Sequence, residues 1–278
     1  MKILVAKTAG FCFGVKRAVD LAFENSTGTG IYTYGPIIHN ELVTDKLEER
    51  GVLAIDNMEK EDIEKIIIRS HGVSPDVYKS GEEKNIEIID ATCPYVRKIH
   101  RYVSKYNDEG YAVIIAGDKN HPEVIGINGW ANNKCIIVKN SEELEKITID
   151  INKKYLLVAQ TTYKKEIVNS IREYMDNMGI DFKYINTICN ATRARQEEAN
   201  QIASEVECMI VIGSKKSSNS LKLFEISEAN CKYSYFISEA KELTKDMFKG
   251  INSIGITAGA STPNEVIEDT VEFVKNLD

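Results

Sequence analysis

No stretch of the 278-residue chain approaches the roughly 20 consecutive apolar residues that cross a bilayer as a helix. The opening "KILVA" reads as a strand, not as the charged-then-apolar start of an export signal, so a cytoplasmic location is expected and a membrane partner is not. Lysine and arginine nowhere alternate with aromatic residues in a basic run, and the formal charge is −7, so nucleic acid is not an expected partner. Nucleotide signatures are missing too: "GTGIYT" breaks the GxGxxG spacing, and no glycine-rich loop ends in Gly-Lys-Ser/Thr. With no flavin, nicotinamide or ATP site legible, a redox centre in this chain would draw its electrons from another protein. There is no CxxC pair, and the two nearest cysteines, 189 and 208, lie 19 residues apart. Local zinc-finger and ferredoxin-type runs are thereby excluded, and any metal site must be assembled by the fold.

What is present is size and repetition. The composition, 43% hydrophobic and 28% charged, can bury more core than one layer system needs, which predicts two or three domains. Apolar runs alternate with amphipathic ones, as in "YAVIIAG" then "HPEVIGINGWA" and "CMIVIGS" then "SLKLFEISEA", the βα order of parallel sheets. One loop recurs three times: "YTYGPIIHN", "IIAGDKNHP" and "VIGSKKSSN" each end a strand on glycine, with His39, His121 and Ser217 four residues later. A second loop recurs as "IIIRSHGVSP", "YLLVAQTTY" and "IGITAGASTP".

Cysteine marks a third recurring loop. Cys93 in "DATCPY" closes a first unit and Cys189 in "NTICNA" a second, while the last unit ends at Asp278 without one. The opening strand and Cys12 in "AGFCFG" lack a unit of their own, so residues 1–12 are expected to complete the third. The expected lobes are 13–93, 94–189, and 190–278 with 1–12. Cys135, Cys208 and Cys231 lie in or before strand-like runs and read as packing residues. Three loop thiols around one point can hold zinc with an open position or a four-iron four-sulfur cluster with one iron free; three unrelated thiols are the plainer alternative.

Three of the four histidines, His39, His71 and His121, fall in the repeated loops, whereas His100 in "YVRKIHRYVSKY" reads as a partly exposed helix residue. Thr161, Thr162, Ser217, Ser218, Asn219 and Ser261 take the equivalent positions in other units. Each is also an ordinary helix N-cap type. Taken together, hydroxyls, imidazoles and free N–H groups at helix starts suit an anion such as a diphosphate. Glu123, after Pro122, is either a first-turn acid favoured by the helix dipole, the reading its local context prefers, or a proton relay.

With these residues in hand, the sequence closely resembles the 4-hydroxy-3-methylbut-2-enyl diphosphate reductases of the non-mevalonate isoprenoid pathway. The resemblance spans the chain and is carried by "GFCFGV", "IIHN", "SHGVS", "DATCP", "HPEV", "QTT", "GSKKSSNS" and "TAGAST" in the family's order. It implies a trefoil of three pseudo-threefold-related α/β domains around one four-iron four-sulfur cluster, with Cys12, Cys93 and Cys189 as protein ligands. It further implies His39, His71, His121, Ser217, Ser218, Asn219 and Ser261 as diphosphate ligands, and Thr161 and Glu123 as the substrate-hydroxyl and proton-relay residues. The implied reaction removes the C4 hydroxyl as water with two electrons and two protons, fed by a ferredoxin- or flavodoxin-type donor. Lys216 departs from the asparagine the family often has there. A cluster-dependent hydro-lyase acting on a small phosphorylated substrate and a non-catalytic metal-binding regulator are the alternatives.

Overall fold

The computed structural model describes residues 1–60 and 62–277, so Asp278, the expected end of the third unit, lies outside the described residues. Twelve strands occur among these: β1 Lys2–Val5, β2 Ile31–Tyr34, β3 Leu53–Ile55, β4 Lys65–Ile68, β5 Glu87–Asp90, β6 Ala112–Ala116, β7 Ile136–Val138, β8 Tyr155–Ala159, β9 Phe182–Tyr184, β10 Cys208–Ile212, β11 Tyr233–Ile237 and β12 Ser253–Ala258. They form three four-stranded sheets, ordered β3-β2-β4-β5, β7-β6-β8-β9 and β11-β10-β12-β1, and every pairing is parallel. The three orders are one order. In each sheet the first strand of its set sits inside, flanked by the second and third, with the fourth on the far edge. In the last sheet that fourth strand is β1, which pairs Ile3 with Ile254 and Val5 with Ile256. The N-terminus thus supplies the fourth strand of the last sheet.

The chain packs as two compact units, one of residues 1–19, 38–49 and 190–278, the other of 20–37 and 50–189. In the second unit, the sheet around β6 shows why its strands read as continuous apolar runs. Ile114, Ala116, Leu157 and Ala159 pack with Val168, Ile171 and Met175 of helix Lys165–Asn177. Their neighbours Val113, Ile115, Leu156 and Val158 pack with Ile99 and Val103 of helix Pro94–Asp108 and with Val124 and Ile127 of helix Pro122–Gly129. Both faces are covered, so alternation gives way to unbroken hydrophobicity. Each buried Ile, Leu, Val or Met among them contributes about 1.5–3 kcal/mol by leaving water.

In the first unit, Ile210, Ile212, Ile254 and Ile256 pack with Val266 and Val274 of helix Asn264–Lys275. Met209 meets Ile202 and Ala203 of helix Asn190–Glu205. Cys208 and Cys231 belong to these cores and Cys135 packs against that of β6, which accounts for them as packing residues. Among the described residues no helix is long and apolar enough to cross a membrane.

Candidate active site

The repeated sequence loops are repeated structures. The glycine after each inner strand, Gly35, Gly117 and Gly213, donates its N–H to the last carbonyl of the neighbouring second strand, Ile55, Val138 and Ile237, at 2.7, 3.0 and 2.8 Å. Each cysteine follows the fourth strand of its set and immediately precedes a helix: Phe13–Glu24 after Cys12, Pro94–Asp108 after Cys93, Asn190–Glu205 after Cys189. Each cysteine N–H donates to the second residue beyond the third strand. The acceptors are the carbonyls of Ala260 at 3.2 Å, Ser70 at 2.9 Å and Thr161 at 2.9 Å. His71, Thr162 and Ser261, one residue further on, are therefore equivalent positions.

None of the six cysteines is in a disulfide, and Cys12, Cys93 and Cys189 are half-buried. Burial pushes the Cys135 and Cys208 thiols up to about 12, which leaves them inert. Cys12, Cys93 and Cys189 each sit on a loop anchored through its own backbone N–H, whereas Cys135, half-buried like them, packs against the β6 core.

The Cys12 loop is held by residues that no short motif announces. Arg195, buried on helix Asn190–Glu205, donates from Nη2 to the Gly10 carbonyl at 2.6 Å. Gly10 has φ +92, a conformation only glycine adopts freely. Glu198, one turn along, accepts from the Lys7 and Thr8 N–H groups at 2.8 and 2.9 Å and from Thr8 Oγ1 at 2.5 Å.

Glu123 is 2% exposed, and its two carboxyl oxygens face one residue. Thr161 donates its N–H to Oε1 at 2.6 Å and its Oγ1–H to Oε2 at 2.7 Å. Burial raises the Glu123 carboxyl above its ordinary range and outweighs the two Thr161 donors, which pull it down. The first-turn-acid reading, preferred on local context, therefore misses what the carboxyl touches. His121 caps the same helix: its Nδ1 accepts from the Glu123 N–H at 3.2 Å. An accepting Nδ1 leaves the proton on Nε2, so the imidazole presents a donor. The His71 and His121 rings meet edge to face with centroids 5.4 Å apart.

In the first unit, Ser261 Oγ donates to the His39 carbonyl at 3.2 Å. Ser217 is the N-cap of helix Ser218–Asn230, accepting from the Ser220 N–H at 3.3 Å, so the N-cap reading holds for it. Ser218 and Asn219 open that helix. Asn219 is buried, and neither end of its amide finds a partner among the described residues. An amide left so costs a few kcal/mol unless something else bonds it. Lys216 pairs with Glu41, Nζ to Oε1, at 2.7 Å on the surface, which lowers the Glu41 carboxyl and raises the lysine. His100 corrects the sequence reading. It is 2% exposed, not partly exposed, because it lies over the side-chain-free Gly72 and stacks on Trp130.

Fold and site define a class: an α/β protein in which one four-stranded parallel plan occurs three times, with accessible thiols and a buried acid–hydroxyl pair in its strand-to-helix loops. The profile of the LytB protein family matches residues 3–275, and the chain belongs to that family. It is 48% identical over its whole length to the 4-hydroxy-3-methylbut-2-enyl diphosphate reductase of Caldanaerobacter subterraneus subsp. tengcongensis, covering 98% of that relative. The solved E-1-hydroxy-2-methyl-but-2-enyl-4-diphosphate reductase of Plasmodium falciparum matches 99% of this chain and 88% of its own, with TM-score 0.92 and 33% identity. A second solved reductase, described as the terminal enzyme of the non-mevalonate pathway, covers 99% of both chains with TM-score 0.73 and 41% identity.

Proposed function

We propose that this chain catalyses reductive dehydroxylation of 4-hydroxy-3-methylbut-2-enyl diphosphate. Two electrons and two protons enter, the C4–O bond breaks, water leaves, and isopentenyl or dimethylallyl diphosphate forms. Cys12, Cys93 and Cys189 are the protein ligands of a four-iron four-sulfur cluster in this reading, supported by their shared place at the start of three equivalent helices and by the absence of any disulfide among the cysteines. When bound, such a cluster supplies electrons one at a time and a Lewis-acid iron for the leaving oxygen.

The chain's own residues bind the anion and move the proton. His121 offers Nε2–H, His71 lies beside it, and His39, Ser217, Ser218, Asn219 and Ser261 add donors from the equivalent loops. The unsatisfied Asn219 amide is met by the diphosphate. Glu123 and Thr161 carry the proposal: a buried acid whose carboxyl is raised by burial delivers a proton through Thr161 as C–O cleavage develops negative charge on oxygen. In the relay the 2.7 Å Oε2–Oγ1 pair reverses its sense: protonated Glu123 donates to Thr161 Oγ1 as the Thr161 hydroxyl gives its proton to the leaving oxygen. Electrons come from a ferredoxin- or flavodoxin-type donor in the cytoplasm. We assign three lobes, 13–93, 94–189, and 190–278 with 1–12, a division supported by one sheet falling within each.

Anaerobically purified protein supplied with the allylic diphosphate and reduced viologen tests this. Both isoprenoid diphosphates should form, and none without reductant. Product made without reductant would point to a hydro-lyase, and bound iron with no product to a regulator.

A further inference from the structure

Behind the two histidines of the second unit lies a pair of rings that neither the sequence motifs nor the proposed chemistry uses. His100, on helix Pro94–Asp108, stacks on Trp130 with centroids 5.3 Å apart and planes 18° from parallel. Its ring edge takes the space where a side chain on Gly72 would begin, since a Cβ there would lie 2.5 Å from Cε1 and 3.2 Å from Nε2. Gly72 follows His71 directly and has φ +71; its N–H donates back to the Arg69 carbonyl at 3.0 Å, closing a tight turn around His71.

Trp130 caps the C-terminal end of helix Pro122–Gly129, whose N-cap is His121. Its Nε1–H donates to the Val73 carbonyl at 3.0 Å, two residues past His71. The same helix comes close to the turn at Gly126, where a Cβ would touch the Gly72 carbonyl group at 3.4 Å. So the His71 turn is gripped on its far side by a ring from the Cys93 helix and a ring from the His121 helix. His100 Nε2 is buried with no partner among the described residues, a cost that a purely space-filling phenylalanine would avoid.

We propose that the His100–Trp130 stack is a positioning element for the substrate anion: it fixes the His71 turn against the His121 helix so that the two imidazoles present their donors together. This rests on the assignment of His71 and His121 to the diphosphate. Neither ring is a catalytic residue; both act through the turn they hold. A turn set loose pays the ordering cost when the anion binds, so affinity falls while the bond-breaking step stays intact.

The test uses the cluster-loaded protein and three readouts: iron content, KM and kcat with a chemical reductant, and calorimetric binding of inorganic diphosphate. Trp130→Phe keeps a stacking ring and loses only the N–H bond to Val73. It should retain iron and kcat within two-fold while KM and the diphosphate Kd rise about five-fold, the effect of one ordinary hydrogen bond. His100→Leu should raise both further, and His100→Phe, which restores the stack, should bring them back toward wild type. Unchanged KM and Kd in Trp130→Phe and His100→Leu would overturn the positioning role, as would loss of iron and kcat with diphosphate binding intact. A wild-type protein that neither binds diphosphate nor turns over the allylic substrate would overturn the substrate assignment itself, and this role with it.

Discussion

Replacing Glu123 by glutamine removes one proton donor and little else. The amide oxygen can still accept the Thr161 N–H that Oε1 accepts at 2.6 Å, and the amide N–H can donate to Thr161 Oγ1, now 2.7 Å from Oε2. Exchanging one satisfied pair for another costs about 1 kcal/mol of stability or less. What glutamine cannot do is give up a proton to the departing oxygen. Loss of a general acid lowers rates by roughly 10²–10⁴-fold, and the lower bound alone is about 2.7 kcal/mol on the barrier. Anaerobic turnover of the allylic diphosphate with excess reduced viologen measures this directly, with KM and iron content expected to hold. The pH profile gives a second reading. Burial raises the Glu123 carboxyl, so the active, protonated form persists above the ordinary carboxylate range, and wild-type kcat should fall as pH rises through that raised value. The glutamine variant should lack that limb. A variant within a few-fold of wild type, with the same limb, would refute the proton role and leave Glu123 a helix-start residue.

Serine at Cys12, Cys93 or Cys189 should abolish stable iron binding, while Cys208→Ala should keep it, as anaerobic iron and sulfide analysis will report. His100 sets an acid limit on stability. Burial lowers its imidazole from 6.5 to about 4, reinforced by Arg97 and opposed by Asp90. The neutral ring's contribution is full above pH 6.5 and is lost as pH falls toward 4, about 3 kcal/mol in all. Denaturant titrations should show that slope in wild type and not in His100→Phe. Ile114→Ala, in the fully buried sheet around β6, should cost about 2–5 kcal/mol by urea unfolding.

The parallel sheets were legible because strands buried on both faces, such as Ala112–Ala116 and Cys208–Ile212, have no polar face to hide them. The cysteine loops were legible through repetition: the fourth strand of the last sheet had to come from the N-terminus once the plan was seen twice. Long-range contacts were not legible. His100 sits among arginine, lysine and tyrosine on its helix, and only Gly72, 28 residues earlier, makes room to bury it. Arg195 and Glu198 look like ordinary helix charges until their bonds to Gly10 and Thr8, 185 and 190 residues away, are seen. Glu123 illustrates the converse, since a first-turn acid after proline satisfies local rules so well that its burial against Thr161 leaves no mark in the sequence.

The central claim is that this chain spends electrons to remove a hydroxyl, and counting them tests it most directly. In a sealed anaerobic cell, a one-electron viologen donor is titrated against the allylic diphosphate while product is quantified. The account predicts two equivalents of donor oxidised for each isoprenoid diphosphate formed. Product with no donor consumed, or donor oxidised with the substrate hydroxyl retained, would contradict it.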